Sequence, residues 1–232
     1  MKIMSFDLSS SCIGVICADV NSQNEVVNIM SAPIIPPKFN PEELGFKRYK
    51  EKLQKNGQSI TSWVKPGENW VSPNEKKHRD AAVRSRKDVF VLQYISQKIN
   101  DLVSAIKPEL VLVEKNEIFN GVLTSVLLGK IMGVLHGVCG ALGIPVEEYK
   151  VQQIRKPYNV MKLVLEFSKN KSPEALRRIP DLSKAAIRNM LSFKYPHICF
   201  ETDDESDACL VFDYWLNYVR RRNDNAYDQN KS

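Results

Sequence analysis

The sequence predicts an α/β protein with a mixed five-stranded sheet: a three-stranded antiparallel meander, continued by parallel strands and flanked by helices. Three segments at the start of the chain, 2–8, 12–20 and 26–32, have strand character and are joined by short polar turns. Further along, helical segments alternate with two more strands, 110–114 and 146–149. Segment 110–114 is apolar on both faces until its last residue, which is typical of a central parallel strand.

The helices are predicted from the spacing of apolar residues and from the positions of helix-breaking residues. Apolar residues recur at helical spacing over 75–106, and Pro108 follows. A second helix over 121–142 carries Gly at 129, 133, 137 and 140, which indicates close packing against another helix or a subunit. Basic, mostly helical sequence occupies 150–194, and a last helix covers 203–221.

Residues 36–75 show neither the helical nor the strand periodicity of apolar residues, and proline and glycine interrupt them. A short helix is expected only within 41–55. A stretch this long is more consistent with an insertion or lid than with part of the sheet. We therefore expect one domain over 1–222, with insertions at about 36–75 and 157–180, and a disordered tail at 223–232.

Composition narrows the class of protein. The 232 residues include 43% hydrophobic residues, and no apolar run reaches the roughly 18 residues of a membrane span. The N-terminus lacks the features of a secretory signal, and the five cysteines are scattered without a metal-binding spacing. These observations predict a cytoplasmic protein with reduced thiols and no membrane contact.

The formal net charge of +6 is unevenly distributed. Residues 150–197 contain eleven Lys and Arg against three acids, whereas 201–207 contain five acids. Basic segments beside an acidic cluster suit a polyanion held over a metal site. The alternative is a solvated charged surface without a ligand.

Acids end two of the predicted strands, Asp7 on the first and Glu114 on the fourth. Sites in open α/β sheets lie at the carboxyl ends of such strands. Asp204 and Asp207 are spaced i, i+3 on the last helix and therefore share one side of it. If that side packs on the sheet, all four acids meet.

Four converging carboxylates would repel one another and raise their own pKa values. Their hard oxygen atoms suit Mg²⁺ or Mn²⁺, and two such ions can hydrolyse a phosphodiester. The competing interpretation is that Asp203 and Asp204 only cap the last helix.

The order of these motifs resembles the RuvC-type Holliday junction resolvases of the ribonuclease H-like superfamily. The resemblance covers most of the chain outside 36–80 and 157–180. It rests on the following segments: Ile3-Met4-Ser5-Phe6-Asp7-Leu8-Ser9-Ser10, Cys12-Ile13-Gly14-Val15, Pro108-Glu109-Leu110-Val111-Leu112-Val113-Glu114, Leu128-Gly129-Lys130, Gly133-Val134, Tyr149-Lys150-Val151-Gln152-Gln153-Ile154-Arg155, Lys184-Ala185-Ala186-Ile187 and Asp204-Glu205-Ser206-Asp207-Ala208.

The resemblance implies a role for each matching residue. Asp7, Glu114, Asp204 and Asp207 would be the metal ligands, and the metal would be a pair of Mg²⁺ or Mn²⁺ ions. Lys184 would stabilise charge at the scissile phosphate, and Arg155 would contact the DNA backbone. Phe119 matches the aromatic that stacks on junction bases. Family members are homodimers, for which we expect the helices over 81–106 and 121–142 to form the interface.

The resemblance thus implies a metal-dependent, structure-selective endonuclease that resolves Holliday junctions and related branched DNA. Segment Leu8-Ser9-Ser10-Ser11 lacks the glycine usual in the first motif, and both insertions are long. These departures predict a divergent phage, viral or organellar type of resolvase. The alternatives are a nuclease for flaps, single strands or RNA–DNA hybrids, a sugar-kinase or actin-like ATPase, and a non-catalytic DNA-binding scaffold.

Overall fold

The computed structural model describes residues 1–9, 11–44, 47–52, 59–64, 73–115, 122–179 and 181–221. The chain forms two compact units. The larger consists of residues 1–35 and 96–232, and the smaller of residues 36–95. The predicted tail at 223–232 lies outside the described residues.

The larger unit is built on a five-stranded mixed sheet. Its strands are β1 (Lys2–Asp7), β2 (Gly14–Val20), β3 (Val26–Ser31), β6 (Leu110–Lys115) and β7 (Val146–Lys150). They lie in the order β3-β2-β1-β6-β7. The first three are antiparallel, and β6 and β7 continue the sheet in parallel. The predicted mixed sheet is confirmed, with boundaries within two residues of those expected.

Over the described residues, six α-helices belong wholly or partly to this unit besides the last one. They are α1 (Pro73–Ile106), α2 (Val122–Ala141), α3 (Val151–Arg155), α4 (Val160–Ser168), α5 (Pro173–Arg177) and α6 (Leu182–Lys194). Helix α7 (Asp203–Tyr214) is followed directly by a π-helical segment, Trp215–Arg220. The predicted insertion at 157–180 therefore contains two short helices.

One face of the sheet packs against α7, which contacts β1, β2 and β6, and α7 in turn packs against α6. Because side chains alternate along a strand, this face carries Ile3 and Ser5 of β1. Ile3 and Leu112 share a buried core with residues of α6 and α7. The opposite face is buried too, and its Met4 and Phe6 are fully inaccessible to solvent.

The C-terminal half of α7 is held by a buried carboxylate. Asp213 is 1% exposed, and its oxygens accept hydrogen bonds from Tyr158 Oη at 2.7 Å and Tyr195 Oη at 2.5 Å. Lys194 Nζ lies 2.5 Å from the same carboxylate. The Asn217 amide donates to the Asp213 carbonyl oxygen at 2.8 Å, within the π-helical segment. The acid is thus fully paired, as a buried charge must be.

The smaller unit contains structure that the sequence did not predict. A β-hairpin of β4 (Lys47–Lys52) and β5 (Ser59–Val64) follows a short 3₁₀ turn, Pro41–Leu44. The helix expected within 41–55 is wrong at 47–52, which form β4, and the hairpin is separate from the main sheet. Segment 59–64 is rich in β-branched and aromatic residues, which favour a strand.

Helix α2 leaves its glycine face uncovered. Ile131, Leu135 and Cys139 are fully buried, whereas a β-carbon placed at any of the four glycines would meet no atom within 4 Å. The close packing predicted for this stripe is therefore not made within the described part of the chain. No helix in the described ranges combines the length and apolar character needed to cross a bilayer. None of the five cysteines forms a disulfide.

Candidate active site

Two carboxylates lie side by side at the carboxyl ends of β1 and β6. The strands are parallel neighbours, with Phe6 opposite Val113, so the next residues along them are Asp7 and Glu114. Asp7 is only 9% exposed. This placement follows from the topology, because parallel strands end at the same edge of a sheet.

Helix α7 brings the other two acids to this edge. The Ser5 hydroxyl donates a 2.8 Å hydrogen bond to the Ala208 carbonyl oxygen, which fixes the second turn of the helix on β1. Gly14 lies opposite Asp7 in the sheet, and any β-carbon at position 14 would overlap the Asp204 carbonyl. A glycine here lets the helix backbone lie directly on β2. The first turn of α7 can therefore carry Asp204 and Asp207 over the strand ends.

The capping interpretation of these acids is wrong. The N-cap of α7 is Thr202, whose hydroxyl accepts from the Glu205 backbone N–H at 3.2 Å. The Glu205 side chain completes a capping box by accepting from the Thr202 backbone N–H at 2.7 Å. Asp203 forms an ion pair with Arg188 on α6. Asp204 and Asp207 are thus free of any capping role.

The four carboxylates are close enough to perturb one another. Burial raises the pKa of Asp7 well above its ordinary value, and the charges of Glu114, Asp207 and Asp204 raise it further. Burial and the charge of Asp207 raise the pKa of Glu114 to about 7. Burial likewise raises the pKa of Asp204. Burial, together with the neighbouring acids, therefore makes ionisation of these carboxyl groups unfavourable when no cation is bound.

Two cations meet this pocket at Asp207. Lys184 Nζ lies 3.4 Å from one Asp207 oxygen, and Arg155 Nη2 lies 3.4 Å from the other. The positive charge of Lys184 lowers the pKa of Asp7, Glu114 and Asp204, although burial and the neighbouring acids outweigh it. Both basic residues singled out from the sequence thus lie at the site. Phe119 lies outside the described residues.

The donor set fits a hard divalent cation. All four groups are carboxylates, and a bound cation would neutralise the charge that their ionisation creates. As the side chains stand, no three His, Cys, Asp or Glu residues in the described ranges are spaced as a ligand set. Asp207 instead faces Lys184 and Arg155. The residues that would hold an ion are Asp7, Glu114, Asp204 and Asp207.

Metal-free protein should lose stability as the pH rises from about 4.5 through about 7. A carboxyl with a raised folded-state pKa, such as Glu114 at about 7, binds its proton more tightly in the folded state. The contribution of this group to the free energy of unfolding is complete below its unfolded-state pKa. It is lost as the pH rises through its folded-state pKa. Urea unfolding in a chelator across this range measures the loss, and Glu114→Gln should flatten it. A profile independent of pH would contradict the electrostatics described above.

The sequence did not reveal how the start of α7, residues 203–207, is held in place. We call these residues the acidic turn. Gly14 and Ser5 were quoted only as parts of a motif, although both position α7. The capping box of Thr202 and Glu205 has a recognisable sequence signature, S/T-x-x-E, that could have been found. His136 on α2 pairs with Glu148 on β7 at 2.9 Å.

No protein-family model and no curated protein sequence matches the chain. Solved structures do show similarity. Thermus thermophilus RuvC in complex with a Holliday junction substrate is 12% identical, with a TM-score of 0.46 over 91% of this chain and 90% of that one. The yeast mitochondrial Holliday junction resolvase Ydc2 is 12% identical, with a TM-score of 0.41 over 92% and 78%. A fowlpox virus resolvase with Holliday junction DNA is 11% identical, with a TM-score of 0.38 over 94% and 99%.

Proposed function

We propose that this protein is a divalent-metal-dependent endonuclease that cleaves branched DNA, with the four-way junction as its preferred substrate. The observation that carries the proposal is the convergence of four carboxylates on one pocket. They come from β1, β6 and the first two turns of α7, and Lys184 and Arg155 lie beside them. Both belong to the basic segment 150–197, whose charge suits the phosphate backbone of a nucleic acid.

The residues that would hold the ions are Asp7, Glu114, Asp204 and Asp207. Bound there, a pair of Mg²⁺ or Mn²⁺ ions supplies an activated water and stabilises the leaving oxygen of the phosphodiester. The protein itself supplies the rigid frame, because β1 and β6 fix two of the ligands and α7 fixes the other two. The burial of Asp7 keeps bulk water from weakening these interactions.

Lys184 and Arg155 are the residues that we propose contact the DNA phosphates. In this structure both lie 3.4 Å from Asp207, one of the proposed ligands. Their ammonium and guanidinium groups can donate hydrogen bonds to a phosphate oxygen and stabilise the charge that develops on it. Because both also neutralise Asp207, they would compete with a cation for that carboxylate.

Replacing Lys184 with Met should change two measurements in opposite directions. Without DNA, Mn²⁺ affinity should rise about 3- to 10-fold, because a competing positive charge has been removed. Cleavage at saturating metal should fall about 10²-fold, because the phosphate loses a charged donor. Lys162→Met removes a highly exposed lysine on α4 and should alter neither value. Unchanged cleavage in the Lys184 variant would remove this residue from the proposed site.

A substrate panel tests the proposal directly. Wild-type protein is incubated with a four-way junction, a flap, single-stranded DNA, an RNA–DNA hybrid and linear duplex, in Mg²⁺ or in chelator. We expect Mg²⁺-dependent cuts in the junction that leave 5′-phosphate ends, and none in linear duplex. Preferred cleavage of the flap, single strand or hybrid would make the protein a nuclease of another specificity. Binding of the junction without cleavage would identify a DNA-binding scaffold.

The uncovered face of α2 supports the further proposal that the enzyme is a homodimer. Gly129, Gly133, Gly137 and Gly140 are exposed on this face, and Val126 beside them is 50% exposed. Small residues let two helices approach closely. A second copy of the chain related by a two-fold axis would cover the face and match the symmetry of a four-way junction.

Replacing Gly133 with Leu should convert the dimer to a monomer. The position has no neighbour within 4 Å, so the added side chain leaves the single chain intact but blocks close approach of a second helix. Sedimentation analysis compares this variant with wild type and with Asn189→Leu, a control at an exposed position on α6. A wild-type protein that sediments as a monomer at micromolar concentration, with or without junction DNA, would contradict the proposed dimer.

A further inference from the structure

Glu205 is a buried acid that belongs to the acidic turn but takes no part in the proposed ligand set. It is 1% exposed, and burying a carboxylate is costly unless several donors face it. One of its oxygens accepts from the Thr202 backbone N–H at 2.7 Å and from the Thr202 hydroxyl at 3.0 Å. The other accepts from the hydroxyl of Ser31, on β3. The acid is therefore fully paired.

A capping box alone does not require this arrangement. The helix cap needs only the bonds between Thr202 and Glu205, which one carboxylate oxygen provides. The bond to Ser31 is additional, and it joins residues 174 positions apart in the chain. It ties the first turn of α7 to the edge strand of the sheet. The cap thus also works as a tie between helix and sheet.

Among the described residues, this tie is one of three contacts that the start of α7 makes with strands of the sheet. The Asp204 backbone lies on Gly14 of β2, and the Ala208 carbonyl accepts a hydrogen bond from Ser5 of β1. The Ser31 bond adds a contact on β3, so the turn rests across three adjacent strands. Repulsion among the pocket carboxylates pushes the turn away from β1, and a contact on each strand resists that movement.

We propose that Glu205, through Ser31, is a positioning residue that holds the backbone of Asp204 and Asp207 over the end of β1, from where their side chains can share a divalent cation with Asp7. This inference rests on the function proposed above and deepens it. Glu205 touches neither substrate nor ion. It acts through the neighbouring ligands, as outer hydrogen-bond partners of metal ligands generally do.

Ser31→Ala is the sharpest test, because it removes the tie and leaves the capping box intact. Glu205→Ala would leave buried donors unpaired and risks unfolding the protein. The readouts are Mn²⁺ affinity without DNA, measured by electron paramagnetic resonance, and the kcat and KM of junction cleavage. We expect Mn²⁺ affinity and kcat each to fall about 10-fold, with KM unchanged. Ser31→Thr keeps the hydroxyl and should restore both values.

Two further variants complete the design. Ser192→Ala removes an exposed serine on α6 and should match wild type. Glu205→Gln keeps one acceptor oxygen for Thr202 and should be intermediate, with near-ultraviolet circular dichroism confirming the fold. If wild type binds Mn²⁺ and cleaves while Ser31→Ala does the same equally well, the positioning role is overturned and the proposed function stands. If wild type binds no Mn²⁺, both are overturned.

Discussion

Replacing Asp7 with asparagine should reduce junction cleavage at least about 10³-fold and, at pH 8, make the metal-free protein more stable. The loss of cleavage is expected because Asp7 is the proposed ligand at the centre of the pocket, where three other carboxylates act on it. The gain in stability is expected because asparagine removes a buried charge that nothing in the pocket fully neutralises. Nicking assays and thermal unfolding in chelator measure the two effects.

The sign of the stability change shows whether Asp7 destabilises or stabilises the metal-free fold. An aspartate that stabilises the fold through an ion pair would lower the melting temperature when replaced. The folded-state pKa of Asp7 is raised, so its ionised form opposes folding above its unfolded pKa. At pH 8 we expect a gain of about 3–8 °C, and at pH 4 almost none. Asp19→Asn, at the opposite end of the β1–β2 pair, is the matched control. Equal cleavage by Asp7→Asn and wild type would refute the active-site assignment.

Replacing Gly14 with alanine should destabilise the protein by about 3 kcal/mol or more and abolish cleavage. A β-carbon at this position overlaps the carbonyl group of Asp204, which is backbone and cannot move like the end of a flexible side chain. Either β2 or the first turn of α7 must shift. Since that turn carries Asp204 and Asp207, a shift also separates the proposed ligands. Urea unfolding and Mn²⁺ binding measure the two consequences.

A glycine without such a contact provides the control. Gly140 lies near the end of α2, with no atom within 4 Å of a β-carbon placed there. Gly140→Ala should leave the free energy of unfolding unchanged or raise it by up to about 1 kcal/mol, because alanine is the better helix former. If Gly14→Ala is as stable as Gly140→Ala, the close approach of α7 to β2 is not as described.

Local periodicity was sufficient to predict most of the main sheet. Strand β1 alternates between two buried faces, and β6 is apolar on both, so each could be identified from a few consecutive residues. Each strand has an acid at or next to its carboxyl end, and parallel pairing brings those ends together whatever the details of the loops. The gathering of Asp7 and Glu114 could therefore be predicted from pattern and topology alone.

The supports of the acidic turn could not be predicted in this way. The bonds from Ser5 to Ala208 and from Ser31 to Glu205 join residues more than 170 positions apart. Serine in a strand has no periodic signature, and its partner depends on how α7 crosses the sheet. The role of Gly14 could not be predicted either. A glycine in a strand indicates that another segment approaches closely, but it does not identify that segment. The β4–β5 hairpin was missed because β4 is largely charged and shows no apolar alternation.

The Asp213 cluster gives α7 a second support, far from the proposed ligands. The phenols of Tyr158 and Tyr195 donate to Asp213 in the far half of the helix, whereas Ser5 and Ser31 hold its near half on the sheet. Nine positions, or about 13 Å of helix, lie between Asp204 and Asp213. We therefore expect a substitution that breaks the Asp213 cluster to remove one of two supports of the helix without changing any of the four acids.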